Sequence, residues 1–136
     1  MIVTDSGPLF AASDVRDTDH RRSAAALSAL RDPVVVPVTV LTEVCRLLRQ
    51  RLSATHELQF LRSCAAGELQ IEQLDDGDIL RAAELIERYA DANIGFTDAS
   101  VVAVAERLNV TRLLTLDCRA FGLVRPRHCE AFDLLP

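Results

Sequence analysis

Short β-branched apolar runs alternate with helical patterns along the whole chain, and no other feature limits its fold so tightly. Ile2-Val3-Thr4 ends at Asp5, and Val34-Val35-Val36 follows a break at Asp32-Pro33. Leu69 and Ile71 alternate with Gln70 and Glu72, and the run 112–116 stops at Asp117. A last short run, 131–135, reads as a strand or a tail. Runs of this length and composition read as strands.

The intervening segments carry apolar residues at helical spacing. Residues 9–13 read as a short helix after a Ser6-Gly7-Pro8 turn. Asp17 or Asp19 caps the next helix, which presents Ala24, Leu27 and Leu30. Helix 40–51 shows Val40, Leu41, Val44, Leu47 and Leu48, and Ser53 caps another that ends near Gly67. Asp75, Asp76 and Asp78 read as solvated helix-start acids for a helix running to about 92. Thr97-Asp98 opens an almost wholly apolar helix over 99–108.

Alternating strands and helices predict an α/β sandwich whose mostly parallel central sheet is flanked by helices. The length of 136 residues fits one domain, 1–136, with one core and no need of staples.

Composition removes several functions. All fifteen basic residues are Arg. Without Lys there is no Walker A loop, no pyridoxal or Schiff-base chemistry and no kinase strand Lys. The net charge of -5 is not the footprint of binding to nucleic acid by bulk electrostatics. It leaves room for a nuclease that reaches phosphate through a metal. The longest uncharged run, 33–42, is half of a membrane span of about 20 residues. Asp5 interrupts any secretory leader, so a cytoplasmic location with no membrane contact is expected. Cys45, Cys64, Cys118 and Cys129 form no zinc spacing with His20, His56 or His128. Cys45 and Cys64 read as buried apolar residues within helices.

Two acids, Asp5 and Asp117, stand directly after apolar strands, and both are expected in the crevice beyond the carboxyl ends of the sheet. Asp98 opens the buried helix, and Glu43 lies in the first turns of the helix after the second strand. One reading gathers all four as a carboxylate cluster. Clustered carboxylates repel unless a cation is present. Hard oxygen donors without His or Cys select Mg²⁺ or Mn²⁺, which suit phosphoryl chemistry. Each acid also has a structural reading. Asp5 and Asp117 suit turns, Asp98 suits a helix cap, and Glu43 suits pairing with Arg46.

Four segments then occur in order. They are Ile-Val-Thr-Asp-Ser-Gly-Pro-Leu from Ile2, Val-Leu-Thr-Glu-Val around Glu43, Ile-Gly-Phe-Thr-Asp-Ala around Asp98, and Leu-Leu-Thr-Leu-Asp-Cys-Arg-Ala-Phe around Asp117. They resemble the four acidic motifs of PIN-domain ribonucleases. The chain length resembles the VapC-type toxins of type II toxin–antitoxin systems. The resemblance implies a PIN-like three-layer sandwich and catalytic, metal-holding roles for Asp5, Glu43, Asp98 and Asp117. It implies Mg²⁺ or Mn²⁺ as cofactor and hydrolysis of an RNA phosphodiester.

Ser6 and Thr115 match hydroxyl positions that the family sets beside its acids, and Arg119 matches a position able to meet RNA phosphate. Gly7 departs from a second hydroxyl often found there, and Cys118 from a position often polar or basic. Phe121 reads as core. The family implies a homodimer neutralised by a small VapB-type antitoxin. The alternatives are a degenerate PIN-like module that only binds a partner, and an acidic-pocket phosphatase or switch. The second pair fits less well, because Asp5-Ser6-Gly7 is not Asp-x-Asp and no pocket Lys exists.

Overall fold

The computed structural model describes residues 1–136. Five short strands are present: β1 (Ile2–Thr4), β2 (Val34–Pro37), β3 (Gln70–Glu72), β4 (Arg112–Leu114) and β5 (Asp133–Leu135). They form one sheet in the order β3-β2-β1-β4-β5. Every adjacent pair is parallel, so the sheet is wholly rather than mostly parallel. Seven helices connect the strands. They are α1 (Ser6–Ser13), α2 (His20–Ala29), α3 (Val38–Arg51), α4 (Ala54–Ala65), α5 (Asp76–Arg88), α6 (Phe96–Arg107) and α7 (Cys118–Leu123).

The sequence explains the layering. Ile2, Val3 and Thr4 are fully buried, which a central parallel strand covered on both faces requires. Residues Ala99 to Ala105 of α6 are all buried too, so this helix lies inside the molecule. Its small and β-branched side chains pack into one core with Val35, Val36, Val40, Val44 and Leu113. Each buried Val or Leu contributes about 1.5–3 kcal/mol. No helix is long and apolar enough to cross a membrane.

Several local expectations need correction. Helix α1 begins at Ser6, because the Asp5 carboxylate accepts from the Ser6 N–H and caps it. What reads as a Ser6-Gly7-Pro8 turn is that helix's first turn. Asp78 is not solvated. It is 3% exposed, shares a capping box with Asp75, and pairs with Arg107. Cys45 and Cys64 are half-buried rather than buried, and α4 contains no buried residue at all. Helix α7 has no counterpart among the expected elements, being only six residues long.

Candidate active site

The strand order reverses direction between β1 and β4, which pair side by side. Such a switch point opens a crevice beyond the carboxyl ends of the strands. Asp5 and Asp117 leave those same two strands. The Asp5 N–H bonds the Leu114 carbonyl at 2.9 Å, extending the β1–β4 ladder up to the acid.

Both acids cap a helix. The Asp5 carboxylate accepts from the Ser6 N–H at 2.7 Å, and the Asp117 carboxylate accepts from the Ala120 N–H at 2.9 Å. Capping and a place in the crevice are thus compatible for the same side chain. Asp98 is different. Gly95 is the N-cap of α6, and Asp98 lies in its first turn with no hydrogen-bond partner on its carboxylate. Glu43 does not pair with Arg46, which bonds Gln50 instead. It accepts a hydrogen bond from the Ser6 hydroxyl.

Thr115 ties the two strand-end acids together. Its hydroxyl donates to Asp5 Oδ2 at 3.1 Å and accepts from the Asp117 N–H at 3.0 Å. A second link joins the helices that carry Glu43 and Asp98. Thr39 Oγ1 on α3 and Ser100 Oγ on α6 lie 2.5 Å apart, and Ser100 also donates to the Thr97 carbonyl. Sequence reasoning missed this pair, because a hydroxyl inside a helical pattern carries no signal until its neighbour is known.

The electrostatics show that the four acids share one neighbourhood. Burial pushes the Asp98 carboxyl up to about 6, and the charges of Asp5, Asp117 and Glu43 push it the same way. Burial also raises Asp5, while the bonds from Ser6 and Thr115 lower it and Glu43 and Asp117 raise it. None of the four pairs with an Arg or His. No three His, Cys, Asp or Glu side chains stand as a ready-made ligand set for an ion. The largest cavity, about 410 Å³, lies elsewhere, between Leu9, Leu27, Pro33 and Phe60. A small one of about 70 Å³ joins Asp117 and Arg119 to Ala92, Ala120 and Leu123.

The family model for the PIN domain matches residues 2–124. The chain belongs to the PIN-domain family. Ribonuclease VapC26 of Mycobacterium tuberculosis is 30% identical over 135 residues, covering 99% of this chain and 100% of that protein. Among solved structures, the sarcin–ricin-loop-cleaving toxin VapC20 of the same organism superposes with a TM-score of 0.82 at 19% identity. The match covers 96% of this PIN domain and 99% of that chain. A toxin–antitoxin complex from Klebsiella pneumoniae gives 0.71 at 19% identity, over 91% and 92% of the two chains. At such identities the structural matches establish the fold of this PIN domain and no more.

Proposed function

We propose that this PIN domain is an endoribonuclease toxin that uses Mg²⁺ or Mn²⁺ and is held in check by a small antitoxin. The observation that carries the reading is four carboxylates gathered at the sheet's switch point with no cationic partner, one of them held at a pKa of about 6. Carboxylates brought together this way lack a counter-charge, and a divalent cation supplies one. The donor set fits Mg²⁺ or Mn²⁺, being all hard oxygen. Mg²⁺ keeps most of its waters and needs only one or two carboxylates, so a preformed cage of three is not required. Asp5, Asp98, Asp117 and Glu43 would hold it. When bound, such an ion polarises the phosphodiester and lowers the pKa of an attacking water.

The chain's own residues do the rest. Thr115 fixes the Asp5 carboxylate and the backbone at Asp117, and the Ser6 hydroxyl orients Glu43. Orienting partners of this kind typically matter about 10–100-fold. Assemblies of similar folds support an antitoxin partner, since the Klebsiella pneumoniae structure is a toxin–antitoxin complex. The Salmonella typhimurium VapBC structure, at a TM-score of 0.67, is bound to DNA. A homodimer of this chain completes the reading by its family resemblance.

Purified protein free of antitoxin, incubated with total cellular RNA, tests the proposal. Cleavage is expected with Mg²⁺ or Mn²⁺, and not with chelator or with Asp5→Asn. Folded protein that cuts no RNA at any metal concentration would instead mark a module that only binds a partner.

A further inference from the structure

A protein of net charge -5 that draws RNA into a nest of acids needs local positive charge to offset the repulsion. Many of its Arg side chains do not serve that purpose, because carboxylates already hold them, as at Arg81, Arg107 and Arg112. Among the exposed Arg side chains free of any carboxylate partner are Arg119, which lines a cavity with Asp117, and Arg125 and Arg88 beyond it, whereas Arg46, three positions from Glu43, bonds Gln50. Their acidic sequence neighbours Glu87 and Asp91 pair with none of them.

A chain of contacts joins the three into one continuous surface. Arg119 borders the small cavity beside Asp117, together with Ala92, Ala120 and Leu123. Leu123 is 49% exposed, which leaves an apolar ledge next to the charges. One turn on, Arg125 Nη1 donates to the Gly122 carbonyl, which ties its guanidinium to α7. The Arg125 N–H donates to the Tyr89 hydroxyl at 2.9 Å, and the Arg88 guanidinium lies 5.8 Å from the centre of the Tyr89 ring. The Tyr89 side chain therefore braces two of the three Arg residues.

On the ribonuclease reading above, we propose that Arg119, Arg125 and Arg88 form a track for the backbone of single-stranded RNA. The strand leaves the acid site along α7 and reaches the end of α5. Planar guanidinium groups suit phosphate oxygens, and the ledge of Ala92, Ala120 and Leu123 suits the apolar face of a base or sugar. The track sets which side of the cut the enzyme grips, so residues beyond the acids shape substrate choice.

Fluorescence anisotropy of a short fluorescein-labelled single-stranded RNA of mixed sequence tests this, using the full chain in chelator. Arg88→Ala/Arg125→Ala is compared with Arg31→Ala/Arg62→Ala, which removes the same charge from exposed Arg without carboxylate partners elsewhere on the surface. All four side chains are exposed, and melting curves confirm that both variants fold. The track variant is expected to bind about 10-fold more weakly, and its salt slope to fall by about 1.4, roughly 0.7 per lost phosphate contact. The control is expected to change less than about twofold.

Equal weakening of both variants, or none in the track variant, overturns the track. If the wild type still cuts RNA with Mn²⁺, the ribonuclease reading survives that result. A wild type that neither binds nor cuts RNA removes both. Labelled polyglutamate serves as a second probe. If the track variant loses polyglutamate binding but keeps RNA binding, the surface belongs to an acidic polypeptide and the proposal falls.

Discussion

Asp98 in the first turn of α6 and Arg107 in its last are separated by about 14 Å of helix, and carboxylates cluster around both. Around Arg107 every acid has a partner. Its guanidinium meets Asp78 and Glu72 at 3.0 Å and Asp75 at 3.5 Å, while Arg81 grips Glu106 at 2.8 Å. Hydrogen bonding to Asp78 pushes the pKa of Arg107 up further, though its guanidinium is charged at working pH in any case. Around Asp98 the acids have only hydroxyls, backbone N–H groups and one another. One end of the helix neutralises its carboxylates with Arg, and the other end leaves them without a counter-charge. The paired end serves stability, whereas the unpaired end carries a cost that only a ligand can repay.

The largest expected effect breaks the unpaired end. Asp5→Asn should lower RNA cleavage with Mn²⁺ by about 10³-fold, the kinetic equivalent of several kcal/mol of transition-state stabilisation. Cleavage rates on one mapped site check it.

Breaking the paired end should do the opposite. Arg107→Ala leaves Asp78 buried at 3% exposure without its main partner. Urea unfolding should show a loss of about 2–3 kcal/mol. Cleavage per folded molecule should stay within about twofold, because Arg107 lies a helix length from the acids.

A smaller effect sharpens the comparison. Thr115→Val removes the hydroxyl between Asp5 and Asp117 but keeps the side-chain shape. Cleavage should fall about 10-fold. Raising the Mn²⁺ concentration should restore part of it if the loss lies in ion binding.

The smallest effect is on stability and has a defined sign. The Asp98 pKa rises from its ordinary value of 3.8 to about 6 on folding, so the folded state holds its proton more tightly. Its ionisation therefore opposes folding. The penalty is absent below about pH 4, grows between about 4 and 6, and is complete above about 6. Asp98→Asn removes it. After allowance for solvent screening of a half-buried group, the variant should gain about 1–2 kcal/mol at about pH 8 in chelator, and nothing at about pH 4. A variant as stable as wild type at both pH values would show that ionising Asp98 carries no penalty from burial or from its neighbours.

The sequence carried the fold further than it carried the site's geometry. Apolar runs at 2–4, 34–36 and 112–116 marked strands, and the sheet bears them out as parallel, the last ending earlier at Leu114. The strand order was not legible. It depends on which runs pair across more than a hundred residues, as β1 does with β4. The start of α1 was misread because Gly7 and Pro8 signal turns locally, while the Asp5 cap that overrides them is visible only in three dimensions. Asp78 looked like a surface cap because its partner Arg107 is 29 positions away. Likewise Arg88 and Arg125 gave no signal, since their link runs through the Tyr89 side chain.

On the metal-dependent reading proposed above, the acids at one end of α6 await a divalent cation. Thermal melting across a Mn²⁺ titration tests it on wild type, Asp98→Asn and Arg107→Ala. The wild-type Tm should climb with Mn²⁺, as any ligand that binds only the folded state requires. Arg107→Ala, though less stable, should climb in parallel. Asp98→Asn, more stable in chelator, should stay flat. A wild type indifferent to Mn²⁺, or an Asp98→Asn curve that climbs just as far, would contradict the claim.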